Sequence, residues 1–139
     1  AETADEPDAA MPADTGAGSI LRVDPSVDPL IRTDARVEKL ADGFVFTQGP
    51  GWLRSESRLL FSDMRGNTIF QWAEAEGASP FIDPVFEGDT TGRRSISSKG
   101  LTLDAEGRLV ICGCGNRRLS RVEADGSRTV VVESYDGIG

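Results

Sequence analysis

The chain has 139 residues and a formal net charge of −8, from 15 basic and 23 acidic side chains, and it contains no histidine. This charge argues against nucleic acid and anionic membrane surfaces as partners, and no apolar run approaches the ~18 residues of a membrane-spanning helix. Without histidine a Ser-His-Asp triad is excluded, so proton transfer would fall to carboxylates, Lys, Tyr, Cys or a metal-bound water.

Residues 1–19 form an acidic leader. They carry five acidic side chains and no basic one, so they cannot bury enough apolar surface to offset the entropy of ordering. We predict that this leader is disordered. The chain begins with Ala rather than Met. Removal of a secretory signal would explain that start, so a periplasmic or secreted protein is expected.

Residues 20–36 form a transitional segment. Asp24-Pro25 and Asp28-Pro29 predict turns or short capped helices, because proline fixes its own φ and disfavours helix at the residue before it.

The remaining residues, 37–139, consist of short apolar runs separated by turn signals such as Gly66-Asn67 and Asp125-Gly126. No window keeps a period of 3.6, so the sequence predicts an all-β fold. Gly49-Pro50-Gly51 should interrupt a regular ladder. The predicted strands are 37–40, 44–47, 59–62, 68–73, 80–82, 101–103, 109–112, 119–122 and 129–132.

An internal repeat supports a modular fold. A shift of 49 positions places Gly51 on Gly100 and Gly66-Asn67 on Gly115-Asn116. Turn residues at a fixed offset close to the size of one blade are typical of a β-propeller. A β-sandwich with regularly spaced hairpins would leave a similar repeat, and the spacing alone leaves both folds open.

Two stretches carry a family resemblance. Residues 41–63 read ADGFVFTQGPGWLRSESRLLFSD, and residues 98–131 read SKGLTLDAEGRLVICGCGNRRLSRVEADGSRTVV. Both resemble the first blades of the gluconolactonase and regucalcin family, whose members are six-bladed β-propellers that hydrolyse sugar lactones with a divalent metal, usually calcium. The resemblance implies an N-terminal portion of such a hydrolase, with the first two of six blades, inactive alone, and a sugar lactone as the small-molecule substrate.

The resemblance also implies a metal position at Gln48. The family wording is Glu-Gly-Pro, and its glutamate reaches the metal on the propeller axis. Gln48 keeps a carbonyl oxygen but lacks the negative charge. The later ligands would follow a Ser-Pro-Asn-Asp motif beyond residue 139, so we expect no tightly bound metal in this chain and assign no catalytic residue.

Lys99 and Arg93 are the candidate substrate-binding residues. Lys99 stands where the family prefers Asn; it would repel a metal or attract a sugar acid, and a solvated turn lysine is the alternative. Arg93, followed by Arg94, lies in a Gly-rich loop. This pair would bind an anionic substrate, or remain solvated loop charge.

Cys112 and Cys114 lie two residues apart on a predicted strand, and therefore on one face. Cys114 and the preceding Gly113 stand where the family often has Glu-His. Two thiolates can hold a soft metal, but a structural zinc site normally takes four ligands, and a disulfide across one residue is strained. We expect buried cysteines without a metal.

Two functions follow from the sequence. One is the metal-dependent lactone hydrolase; the alternative is a non-catalytic β-propeller module that binds a ligand or a protein partner. In either case two isolated blades would leave two apolar faces uncovered. We therefore predict self-association, for example with three copies closing a ring of six blades.

Overall fold

The computed structural model describes residues 18–93 and 95–137 and divides the chain into two units, residues 1–40 and 41–139. Residues 1–17 of the predicted leader, and Arg94, lie outside the described residues. Among those described, no helix is long and apolar enough to cross a membrane.

The first unit contains a 3₁₀ turn, Pro25–Val27. The Asp24 side chain caps it by accepting a hydrogen bond of 2.8 Å from the backbone amide of Ser26. The turn predicted at Asp24-Pro25 is thus confirmed. The strand predicted at 37–40 is wrong: these described residues form no strand, because a strand needs a neighbouring ladder as well as a suitable composition.

The second unit contains two four-stranded antiparallel sheets, each built in chain order. The first sheet consists of β1 (Thr47–Leu53), β2 (Arg58–Asp63), β3 (Thr68–Ala73) and β4 (Gly77–Ile82). The second consists of β5 (Ser98–Leu103), β6 (Leu109–Gly113), β7 (Arg118–Val122) and β8 (Arg128–Val132). Successive pairing of four strands is the pattern of a propeller blade, and each sheet corresponds to one sequence repeat. The predicted all-β fold with two blades is confirmed.

The start of β1 differs from the prediction. The predicted strand at 44–47 begins only at Thr47, because the amides of Val45 and Phe46 donate to the Asp63 carboxylate at 2.8 and 3.0 Å instead of to a neighbouring strand. Pairing then shifts register between Gln48 and Gly51. The Gly-Pro-Gly stretch therefore does interrupt the ladder, as a bulge within a longer strand.

The core lies between the two sheets. Leu60 and Ile69 of the first sheet are fully buried. The hydroxyls of Ser62 and Ser98, also buried, share a hydrogen bond of 2.6 Å from one sheet to the other. The buried apolar residues are Leu53, Leu60, Ile69, Val85, Leu101, Leu109 and Ile111. This packing fixes the position of β1 relative to β5.

The first sheet has an aromatic outer face, which we define as Phe44, Trp52, Phe61 and Phe70. Phe61 alternates with Leu60 and Ser62 along β2 and so points away from the second sheet. Its ring centroid lies 5.0 Å from that of Phe44 and 5.8 Å from that of Phe70. Trp52 pairs with Leu59, next to Phe61, and is 50% exposed. Only part of this face is covered by the described chain.

Candidate functional site

The two sheets approach most closely where β1 meets β5. Gly49 has a φ of +62°, and a Cβ at this position would lie 1.9 Å from the carbonyl oxygen of Lys99. Glycine is required here for both reasons, since it tolerates positive φ and has no side chain. The Gly-Pro stretch thereby brings the backbone next to Gln48 against that of Lys99.

Gln48 is half-buried at this junction. Its backbone pairs with Ser62, and its side-chain nitrogen donates to the sulfur of Met64 at 3.4 Å. With the nitrogen engaged, the neutral carbonyl oxygen is the atom that this side chain can offer to a metal. The expected metal position, Gln48, would therefore contribute a single uncharged oxygen ligand.

The described neighbours of Gln48 do not fit a calcium ion. Calcium takes six to eight oxygen ligands, and their negative charge sets the affinity. Among residues 18–93 and 95–137, no cluster of three or more His, Cys, Asp or Glu side chains could hold a metal. The cationic residue Lys99 lies in the adjoining strand β5, with its backbone carbonyl against Gly49. Any divalent ion would need carboxylates from outside the described residues.

Asp63, at the end of β2, is a structural carboxylate. It is 3% exposed, and besides Val45 and Phe46 it accepts a hydrogen bond of 3.1 Å from the Gly66 amide. Burial alone would raise its pKa, but the backbone amides outweigh burial and hold the pKa below its ordinary value. The charge is therefore used within the fold, in a structural role at the turn after β2.

A cleft of about 630 Å³ lies at the turn after β6. Its lining residues are Arg93, Ser95, Cys114, Gly115, Asn116 and Arg117, and we call it the arginine cleft. Two of these side chains are guanidinium groups and none is a carboxylate. The cleft is therefore locally positive although the chain has a net charge of −8.

The Gly-Asn-Arg-Arg sequence shapes this cleft by forming a tight turn. A Cβ at Gly115 would lie 2.4 Å from the Phe86 ring and 2.5 Å from the carbonyl oxygen of Ile96, so the chain can pass here only as glycine. The Asn116 side chain accepts a hydrogen bond of 3.3 Å from the Arg118 amide. Arg117 takes a φ of +53°, which turns the chain back into β7.

Arg93 is held in place although it is exposed. Its guanidinium donates to the carbonyl oxygen of Gly115 at 2.6 Å. The same group lies 5.4 Å from the centroid of the Phe86 ring, a cation–π contact. The candidate residue Arg93 is thus a positioned cation in the cleft, and its neighbour Arg94 lies outside the described residues.

The expectation of buried cysteines was wrong. Cys112 is exposed and Cys114 is half-buried, and both are free thiols. In β6 the side chains of Leu109 and Ile111 are buried in the core. Because side chains alternate along a strand, Cys112 lies on the opposite face. Burial raises the pKa of Cys114, an effect that the charge of Lys99 opposes and that of Cys112 reinforces.

Lys99 is exposed, and the described lining of the cleft contains neither it nor Gln48. Cys114 lies between the cleft and Lys99, because it lines the cleft and the charge of Lys99 acts on its pKa. Sequence reasoning missed the contribution of Ser95, Asn116 and Arg117. A topological signal was present: the loop before β5 and the turn after β6 must lie at one end of an antiparallel pair.

Known gluconolactonases share features of both sequence and fold with this chain, although no family model matches it. A curated gluconolactonase from Zymomonas mobilis subsp. mobilis is 27% identical over 124 residues, covering 86% of this chain and 35% of that protein. A solved structure provisionally assigned as a gluconolactonase is 30% identical with a TM-score of 0.66, and the match covers 80% of this chain and 36% of that one. In sequence and in fold, the chain is a relative of the gluconolactonases.

A second solved gluconolactonase, from Xanthomonas campestris, is 28% identical with a TM-score of 0.58, and the match covers 70% of this chain and 30% of that structure. This gluconolactonase relative therefore spans about a third of the length of the proteins it matches. The family resemblance and the two-blade fold are confirmed together.

Proposed function

We propose that the chain forms the first two blades of a sugar-lactone hydrolase. The observation that carries this proposal is the joint likeness to gluconolactonases, in sequence and in fold, over most of the chain. In the proposed reaction, water adds to the lactone carbonyl and the ring C–O bond breaks. The product is a sugar acid, which releases a proton at neutral pH.

The chain is proposed to be inactive on its own. The buried carboxylate Asp63 is engaged by backbone amides, and Gln48 is neutral. A general base within reach of a substrate needs a free carboxylate or a similar group. A divalent ion, calcium or another, would likewise need ligands from further blades, because Gln48 supplies a single uncharged oxygen.

A non-catalytic β-propeller module that binds a ligand or a protein partner is the second candidate. The observation that favours it is the close approach of β1 to β5, where the neutral Gln48 is followed by Gly49, whose backbone lies against the backbone carbonyl of the cationic residue Lys99. That combination suits the binding of an anion better than that of a metal ion.

The first test is the activity of the 139-residue chain. Glucono-δ-lactone hydrolysis, followed by titration of the released acid with and without calcium, should proceed at the spontaneous rate. Gln48→Glu should not change this result, since one carboxylate does not hold calcium. Calcium-dependent hydrolysis by the unaltered chain, or micromolar calcium binding by either form in calorimetry, would contradict the proposal.

The second test places the blades in a complete propeller. Residues 41–137 replace the matching region of the Zymomonas mobilis gluconolactonase. This chimera should hydrolyse the lactone more slowly than the parent, and Gln48→Glu within it should raise the rate. If the folded chimera is inactive with either residue, the hydrolase proposal fails and the binding module is favoured.

A further inference from the structure

We propose that the arginine cleft is a binding site for an oxyanion, carried by a sugar acid as its carboxylate or by a phosphorylated sugar as its phosphoryl group. Two guanidinium groups, from Arg93 and Arg117, line the cleft together with the polar side chains of Ser95 and Asn116. All four side chains can donate hydrogen bonds. Guanidinium groups suit carboxylates and phosphates because their planar donors match two oxygens at once.

Arg93 is pre-organised for this role. One of its nitrogens is anchored on the Gly115 carbonyl, and the group rests against the Phe86 ring. A guanidinium carries five N–H donors, so the anchor leaves others for a ligand. Because the side chain is already ordered, binding costs less conformational entropy than at a freely moving arginine.

No described acidic side chain lines the cleft. Neither Arg93 nor Arg117 forms an ion pair with a described acidic residue. Asp89, in the same loop as Arg93, is near enough for that charge to help lower its pKa, after the larger effect of its hydrogen bonds with Thr91. Asp89 does not line the cleft, so the inward-facing charge remains positive.

The neighbouring Arg118 differs from Arg117 and offers a matched control. Arg118 pairs with Glu133 at 3.2 Å and is not part of the lining. Both arginines are exposed, Arg117 as the last residue of the turn and Arg118 as the first residue of β7. Replacement of either by alanine removes the same charge from the chain, but only Arg117→Ala removes it from the cleft.

Cys114 provides a reporter inside the cleft. In the full chain with Cys112→Ser, Cys114 is the one remaining thiol, and its alkylation by neutral iodoacetamide measures access to the cleft. Gluconate and inorganic phosphate are the probes. Sorbitol serves as the neutral polyol control, and sodium chloride at matched ionic strength as the screening control.

Gluconate or phosphate should slow the alkylation of Cys114 in a saturable manner, with a dissociation constant on the order of 1 mM for an exposed site. Arg117→Ala should weaken this protection about fivefold to tenfold, as expected for one charge-assisted contact. Arg118→Ala should leave it unchanged. The reverse variant, with Cys114→Ser, should show no protection of Cys112.

Stronger protection by gluconate than by phosphate would identify the carboxylate of a sugar acid as the ligand, and the opposite order a phosphoryl group. Protection by neither anion, or equal loss in Arg117→Ala and Arg118→Ala, would overturn the inference. The sugar-acid identity rests on the proposed lactone hydrolysis, but alkylation requires no turnover. An inactive chimera with a protected Cys114 would therefore refute the hydrolase and not the cleft.

Discussion

Gly49→Ala is predicted to be one of the most damaging single substitutions in the chain. Gly49 lies where β1 approaches β5, with a positive φ and a carbonyl oxygen of Lys99 only 1.9 Å from the position that a Cβ would occupy. Both atoms in that contact would be fixed, since one is a Cβ and the other belongs to a strand backbone. The two sheets would have to separate, or β1 would have to change its bulge.

Two contributions give the magnitude. An alanine at positive φ costs about 1–2 kcal/mol, and forcing extra volume into a packed contact costs about 1–3 kcal/mol. Alanine also lowers the conformational entropy of the unfolded chain, which stabilises the folded state by about 0.4–1 kcal/mol. The free energy of unfolding should therefore fall by roughly 1–5 kcal/mol.

Gly77→Ala is the matched control. Gly77 has a φ of +72°, and no atom lies within 4 Å of the place that an alanine methyl group would take, so this variant carries the backbone cost without the contact. The two variants should differ by about 1–3 kcal/mol, or by at least about 4 °C in Tm. Circular dichroism during heating, at one fixed protein concentration, measures both. Equal destabilisation by the two substitutions would refute the close approach of β1 to β5.

Three further predictions concern the packing and charge of the sheets. Ser62→Ala should cost about 1–3 kcal/mol because it leaves the buried Ser98 hydroxyl without its partner, and the double variant with Ser98→Ala should recover part of that loss in denaturant unfolding. The pKa of Asp63 is lowered in the folded chain, so its ionised carboxylate stabilises the fold above the unfolded pKa of about 3.9, and this stabilisation is lost as the pH falls through the lower folded pKa. The difference in Tm between the unaltered chain and Asp63→Asn should therefore shrink from neutral to strongly acidic pH. Sedimentation should show self-association at micromolar concentration. Trp52→Lys, on the aromatic outer face, should weaken this association, whereas Leu30→Lys, at an exposed position in the first unit, should not. A monomer that melts cooperatively would contradict the argument from uncovered faces.

The sequence predicted the sheets well where the local pattern decides the structure. The strand β3 has the predicted bounds, Thr68–Ala73. The strand β2 is longer than predicted by one residue at each end, and β7 by one residue at its start. Apolar and β-branched runs between turn residues carry enough information for such strands. The start of β1 was missed because it depends on Asp63, which takes the amides of Val45 and Phe46 from a distant part of the chain.

The candidate site was harder to predict because it depends on contacts between separate loops. Arg93 and Gly115, which form a hydrogen bond, are 22 positions apart in the sequence, and a local sequence pattern does not indicate such a contact. The exposure of Cys112 was not available from the sequence either, because Leu109, Val110 and Ile111 are all apolar. Only the burial of Leu109 and Ile111 in the structure shows that Cys112 lies on the opposite face.

Three departures from the family wording all make this end of the blades more positive. Gln48 replaces a glutamate, Lys99 replaces an asparagine, and Gly113 stands where the family often has a glutamate. A Cβ at position 113 would lie 2.4 Å from the Asn116 side-chain oxygen, so the Asn116 side chain would have to move to admit any other residue. The local field therefore favours an anion over a cation. The same charges would oppose a calcium ion at Gln48 and would favour the oxyanion that we propose for the arginine cleft.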